Sequence, residues 1–245
     1  GMKGKEYTNL RSVGHVIDEL KMLEDKYGSK FFFFNDSTLT YNPKWIIEFC
    51  EQYIKAGLKA KFSVNAVIPE LTEEVCKALA KTQKVQLIRF GLETGNEEFR
   101  YKTLRKSVKN SQMIEVTDRM NKYGLRYSMQ FMLGLPGETK ELAWDSLDMA
   151  RRITGPRGVH GINIFKPFPG LEINNIGLEL GQYQASDVMA PGSVAPQTWR
   201  KESFKAPDEK SGVSLPADEA YMASRQVMHK TGKNTKNLDT ILNYV

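Results

Sequence analysis

The run KVQLIRFGLETG, residues 84–95, decides how the rest of the chain is read. Gln86, Ile88, Phe90 and Leu92 fall on one face of an extended segment, and Val85, Leu87, Arg89, Gly91 and Glu93 fall on the other. The second face becomes small and polar toward its end. A half-solvated antiparallel strand would alternate in the same way, but an amphipathic helix on each side favours a βα repeat. In such a repeat the C-terminal end of the strand faces the ligand. That places Glu93 at the mouth, between Gly91 and Gly95, two glycines that let a ligand approach the backbone closely. The plain alternative is a solvated turn carboxylate.

Upstream, SVGHVIDELKMLEDKY (12–27) reads as a helix, with Ser12 as N-cap, Val16, Leu20, Leu23 and Tyr27 at helical spacing, and Gly28 as its stop. His15 sits alone on its first turn, where a surface role outweighs a ligand role. KFFFFND (30–36) is too short and too aromatic for a helix, and four consecutive phenylalanines imply a strand buried on both faces. Asp36 follows at its end, as a turn cap or a polar contact at a ligand mouth. A helix over 43–56 begins at Pro43 and ends before Gly57. KFSVNA (61–66) alternates as a strand, with Asn65 on the polar side, and 72–79 is a helix with Glu73 and Glu74 at its positive end.

Downstream, RYKTLRKSVKNS (100–111) reads as a basic turn before a helix over 107–123. LRYSMQFMLGL (125–135) is a strand whose Ser128 and Gln130 share a face, and it runs into GLPGET, which delivers Glu138 to a helix over 140–153. The bland role for Glu138 is a charge at a helix N-terminus. VHGINIFKPF (159–168) is the last strand, and a short helix follows near 173–180. Residues 184–216 read as an irregular segment and 217–230 as a terminal helix, which divides the chain into a core over 6–182 and an extension over 183–245.

Composition narrows the class. The chain has 245 residues, 40% hydrophobic and 26% charged, which suits one large α/β domain or two small ones. No apolar run approaches the roughly 20 residues of a membrane span, and the start is polar, so no membrane role is expected. The two cysteines, Cys50 and Cys76, fall in helical segments and read as core thiols. Nothing suggests a disulfide framework, so the cytoplasm is the expected compartment. A net charge of +6 is compatible with an anionic ligand or a nucleic acid but selects neither.

Strands recur at about 25–35 residues, enough for parallel crossovers. Ser63 and Asn65, Arg89 and Glu93, and Ser128 and Gln130 each lie on one face of successive strands. Helices on both faces of a doubly wound sheet would bury these groups unpaired, and a closed barrel fills its interior with branched apolar residues. The polar faces therefore predict an open barrel around a polar ligand.

These residues resemble the radical S-adenosylmethionine (SAM) enzymes, in particular the class coupled to cobalamin-binding domains. The resemblance is carried by FFFFNDSTLT (31–40), RFGLETGNEEFR (89–100), YGLRYSMQFMLGLPGET (123–139) and FKPFPG (165–170), in that family's order and spacing. It implies an α/β fold, a partial, open, TIM-like (β/α) barrel of parallel strands that lacks its first strand and carries an irregular C-terminal segment. It implies SAM binding along the strand ends, at Asp36, Asn65, Gly91, Glu93 and Gly95. From Arg105 or Lys106 it implies a contact to the SAM carboxylate. Gln130, Gly134, Glu138 and Phe168 complete the set, with the turn 134–138 near the adenine.

One departure matters. The family holds its 4Fe–4S cluster with CxxxCxxC after a first strand, and here the sequence opens with the helix that would follow it. Cys50 and Cys76 cannot replace three clustered thiolates. The resemblance therefore implies the remainder of a radical SAM enzyme, inactive as it stands, with weak SAM affinity, the cluster in the parent protein only, and cobalamin in that parent as a further option. Gly1 before Met2 marks either a start or a boundary. The alternatives are a non-catalytic barrel that binds a nucleotide-like ligand or a partner, and an RNA-modifying relative using the basic run Lys102, Arg105, Lys106 and Lys109. The substrate, small or macromolecular, is not legible. An apolar edge at 31–36 without its neighbour strand would invite pairing with a second copy or covering by the C-terminal tail.

Overall fold

The computed structural model describes residues 10–153, 158–185 and 188. Five strands, β1 (Phe31–Phe33), β2 (Lys61–Asn65), β3 (Val85–Glu93), β4 (Tyr127–Leu133) and β5 (Gly158–Ile164), form one sheet in sequential order β1-β2-β3-β4-β5. Helices connect them: α1 (Val13–Tyr27) precedes β1, and α2 (Pro43–Lys55) and α3 (Glu73–Thr82) follow β1 and β2. α4 (Glu97–Leu104) and α5 (Asn110–Lys122) follow β3, while α6 (Lys140–Ile153) follows β4 and α7 (Ile173–Glu179) follows β5. The strands are parallel. The order never reverses, so there is no switch point of the doubly wound kind. Right-handed crossovers that all step in one direction leave the helices on one face of the sheet. This is the partial, open (β/α) barrel class read from the polar strand faces.

Two compact units share the chain. The first holds residues up to Phe90 together with Val116–Tyr127, and the second holds Gly91–Glu115 and the residues from Ser128 onward. In the first unit, Phe62 of β2 is fully buried and packs on Phe49 and Tyr53 of α2, with ring centroids 5.7 and 5.0 Å away. Ser63 and Asn65 alternate with Phe62 and Val64 and so occupy the opposite face. β3 repeats this, with Ile88 and Phe90 buried and Arg89 exposed between them. Glu24 of α1 accepts the backbone N–H groups of Lys59 and Ala60, tying that helix to the entry of β2. In the second unit a smaller core gathers Leu135, Phe165 and Tyr183, with Phe99 and Leu104 against it.

Local signals explain the helix ends. Ser12 caps α1 and Gly28 ends it at φ 64°. Asn42 and Thr72 cap α2 and α3, with Pro43 in the first turn of α2.

Two expectations fail here. β1 is only Phe31–Phe33, and its burial is one-sided: Phe32 is buried, while Phe31 and Phe33 are 49% and 40% exposed. Phe34, beyond the strand, turns onto Phe49 and Phe62. β1 lies at the edge of the sheet, and on its other face the Arg89 guanidinium lies 4.6 Å from the Phe33 ring centre. Second, the expected basic turn is largely helix. Asn96 caps α4 through the Phe99 N–H, and Glu97 and Glu98 complement its positive end. α5 accordingly starts at Asn110 rather than at 107. The expected terminal helix, and all but the first residues of the expected irregular segment, fall outside the described residues.

One-sided burial has a measurable signature. Phe62→Ala should cost about 3–5 kcal/mol, and Phe31→Ala no more than about 0.5 kcal/mol. Urea unfolding midpoints of the two variants compare them directly.

Candidate functional site

In the second unit the end of β3 is unusual. Glu93 adopts φ 68°, the left-handed region that non-glycine residues rarely occupy and that costs on the order of 1–3 kcal/mol. Its carboxylate folds back over Gly91, where a Cβ would lie 2.2 Å from Glu93 Oε1. Lys106 Nζ donates to that same oxygen at 2.8 Å, in a half-buried ion pair. Gly95 is buried under α6, where a Cβ would lie 2.1 Å from the Asp145 carbonyl oxygen, and its N–H donates to Ser146 Oγ at 2.9 Å. Both glycines are thus closely approached by the protein's own atoms. Gly91 makes room for the Glu93 carboxylate, and Gly95 lets a helix backbone close in.

Arg105 and Lys106 part company. Arg105 ends α4 at φ 53° and pairs with exposed Glu172 at 2.6 Å, so only Lys106 reaches Glu93. Lys102 pairs with Glu98, so three of the four cations in the basic run are engaged with carboxylates.

Arg100 was not singled out by sequence. It is 1% exposed, the largest fully buried side chain among the described residues. Its guanidinium donates to Thr94 O (2.6 Å), Val108 O (2.7 and 3.2 Å) and Asn110 Oδ1 (2.7 Å). Asn110 Nδ2 in turn donates to Gly95 O at 3.0 Å. A signal was present: Arg100 stands four residues before Leu104 and next to Phe99, on the face of α4 that turns inward.

After β4, the turn 134–138 closes on itself. Gly134 (φ 75°) donates its N–H to Glu138 Oε2 at 2.6 Å, and the Glu138 N–H donates to Leu135 O at 2.8 Å. Glu138 is 6% exposed and its Oε1 has no hydrogen-bond partner. Burial pushes its carboxyl up to about 7, against the downward pull of the Gly134 and Leu135 N–H groups. It is thus a buried turn anchor rather than an exposed charge at a helix end. On the polar face of β4, Gln130 donates to Ser128 Oγ (2.7 Å), accepts from Asn163 (3.2 Å), and lies over Gly161. Phe168 exposes its ring, and its carbonyl accepts from Asn174 Nδ2 at 2.6 Å.

In the first unit, Asp36 is exposed and its carbonyl accepts from Asn65 Nδ2 at 2.8 Å. Thr38 and Thr40 both donate to Glu70 Oε2, pinning the loop after β1.

The residues present do not fit an iron–sulfur cluster. Cys50 and Cys76 lie buried in α2 and α3, where burial pushes each thiol up to about 12, far from the thiolate a metal requires. Among the described residues no three His, Cys, Asp or Glu side chains gather as metal ligands. No described helix is long and apolar enough to cross a membrane.

Two consequences are measurable. Gly91→Ala should leave stability almost unchanged but displace the Glu93 carboxylate from Lys106, because the clash is with a flexible side-chain tip. Gly95→Ala meets backbone and should lower the melting temperature by several degrees, about the shift of a 1–2 kcal/mol loss. The second concerns Glu138, whose folded carboxyl titrates higher than the unfolded one. Its contribution is fully present below the ordinary carboxylate range and is lost as pH rises through about 7. Glu138→Gln should flatten the fall in stability between pH 4.5 and 7, as read from denaturant midpoints across that range.

The described strand ends can be set beside known proteins. The signature of the Radical SAM superfamily matches residues 2–150. An uncharacterized methyltransferase of Pyrococcus horikoshii is 27% identical over 162 residues, 66% of this chain and 34% of that protein. The anaerobic magnesium-protoporphyrin IX monomethyl ester cyclase of Cereibacter sphaeroides is 29% identical over 147 residues, 56% of this chain and 24% of its own. The chain thus spans about a quarter to a third of the length of these relatives. Among solved structures, the radical SAM methyltransferase TsrM of Kitasatospora setae, with cobalamin and an iron–sulfur cluster bound, superposes with a TM-score of 0.59 at 16% identity. That match covers 74% of this chain and 33% of TsrM. Coproporphyrinogen III oxidase HemN of Escherichia coli gives 0.51 at 15% identity over 73% of this chain and 42% of its own. The family signature over most of the chain and the shared fold agree: this chain belongs to the Radical SAM superfamily.

Proposed function

We propose that this chain is the SAM-binding barrel portion of a longer radical SAM enzyme, most akin to the cobalamin-coupled methyltransferases and cyclases. In this reading the parent supplies the cluster, and a cobalamin where it carries one. The observation that carries it is the Glu93–Lys106 pair, an anion and a cation 2.8 Å apart at the end of β3, on a backbone held in a costly conformation. A SAM amino-acid moiety presents one ammonium and one carboxylate. Glu93 would accept from the ammonium and Lys106 would donate to the carboxylate, each charge trading its internal partner for a ligand partner. The closed turn 134–138, anchored by Glu138, would offer backbone groups to the adenine, with the exposed Phe168 ring beside it as an apolar contact. SAM, when bound in this superfamily, supplies the source of a 5′-deoxyadenosyl radical or a methyl group. This chain's residues bind and orient it.

The two buried cysteines favour binding without cleavage for the chain as it stands. Calorimetric titration of SAM onto the chain should give weak binding. Lys106→Met should weaken it about tenfold, the loss of roughly one charged hydrogen bond. Iron, sulfide and a strong reductant should yield no 5′-deoxyadenosine. Unaltered affinity in Lys106→Met would remove Lys106 from the site, and 5′-deoxyadenosine formation would overturn the assignment of cleavage to the parent.

A further inference from the structure

Taking Glu93 and Lys106 as contacts for SAM, as above, we propose that Arg100 is the positioning residue that holds them in one site. Glu93 and Lys106 stand 13 residues apart, on different segments. Glu93 ends β3, and Lys106 lies in the link between α4 and α5. One guanidinium joins the two segments. It donates to Thr94 O, the residue after Glu93, and to Val108 O, two residues after Lys106. Its third acceptor, Asn110 Oδ1, belongs to a side chain that also holds Gly95 O. Backbone bonds at the end of α4, from Arg105 N–H to Tyr101 O at 3.1 Å and from Lys106 N–H to Arg100 O at 3.4 Å, restrain the near end of the link, and its far end is also held by Lys109 N–H to Gln112 Oε1 (2.8 Å) and Asn110 N–H to Glu97 Oε2 (2.7 Å). Of these groups, Arg100 and Asn110 are the ones that reach across to the backbone following Glu93.

The acceptors also matter. All three are neutral oxygens, so the buried cation is engaged by dipoles and has no carboxylate among its hydrogen-bond acceptors. Glu93 and Lys106 therefore keep their charges for each other and for a ligand. Only a planar fork can reach Thr94 on one side and Val108 with Asn110 on the other. A lysine at 100 would retain the charge and lose the span. Arg100 also fixes the Thr94–Gly95 peptide, next to the tight turn at Glu93 that the Thr94 N–H closes onto Leu92 O at 2.9 Å.

The reactivity of the Lys106 amine tests this without needing a ligand. Acetylation of Lys106 by acetic anhydride would be followed by peptide mass spectrometry in the wild-type chain, Arg100→Lys, Glu93→Gln and the double variant. Arg100→Lys should raise the Lys106 rate about two- to fivefold, the factor expected for freeing a partly exposed ion pair. Glu93→Gln should do the same, and the double variant should go no further. Buried Cys50 and Cys76 report the fold, since they should stay closed to a thiol reagent throughout. An unchanged Lys106 rate in Arg100→Lys with both thiols closed overturns the proposal, as does an additive double variant. Arg100→Gln provides the same comparison if Arg100→Lys opens the thiols. If both variants open them, Arg100 serves the fold as a whole and the positioning role falls. SAM added to the wild-type chain should slow Lys106 acetylation. An Arg100 effect without SAM protection refutes the ligand reading and, with it, any role for Arg100 in ligand binding. SAM protection without an Arg100 effect refutes the role of Arg100 alone.

Discussion

The structure depends on a sheet that can be dry on one face only. Phe62, Val64, Ile88 and Phe90 are sealed in the first unit, and Leu92, Met129, Phe131 and Leu133 are sealed in the second. Between them along the strands stand the polar Ser63, Arg89 and Gln130, beside Gly91 and Met132. A side chain such as Arg89 or Gln130 can be kept there because it need not surrender its hydration to a helix. Sequential strand order produces this asymmetry, since every crossover deposits its helix on the same side. The chemistry of the chain is what that arrangement leaves uncovered.

Much of this was legible in the sequence because it is periodic. The alternation in 84–95 gave the faces of β3, and Ser12 as a cap, Pro43 in a first turn, and Glu73 and Glu74 at a positive end gave the helix starts to within a residue. What failed was non-periodic. Four phenylalanines in a row have no period, and their burial depends on what stands beside the strand, so Phe31 and Phe33 proved exposed. The segment after Glu93 read as a turn because its charges hide a helix whose inward face holds an arginine. The close approaches of the Glu93 carboxylate to Gly91 and of the Asp145 carbonyl to Gly95 are encoded in no local pattern. The pairing of Lys106 rather than Arg105 with Glu93 is a long-range fact of the same kind.

Membership in the Radical SAM superfamily and a chain with two buried cysteines are compatible once binding is separated from reduction. A barrel can recognise an amino-acid zwitterion with charges presented at its strand ends. Splitting a sulfonium requires electrons from a metal centre, and among the described residues no three His, Cys, Asp or Glu side chains gather as its ligands. Similarity at 16% identity conveys the shape of the scaffold, while the roles of individual side chains rest on the local geometry.

The sequential strand order has a further consequence for how the chain is made. Each strand lies next to the one before it, and α1, α2 and α3 carry their own start signals. A chain emerging from the ribosome can therefore add one strand at a time to a template already in place, without waiting for a distant partner. The aromatic group around Phe49 and Phe62 is complete once the second strand has emerged. The clamp that unites Thr94 with Val108 can close once residue 110 has emerged, ahead of β4 and β5, so the strained backbone at Glu93 can be locked while the sheet is still three strands wide.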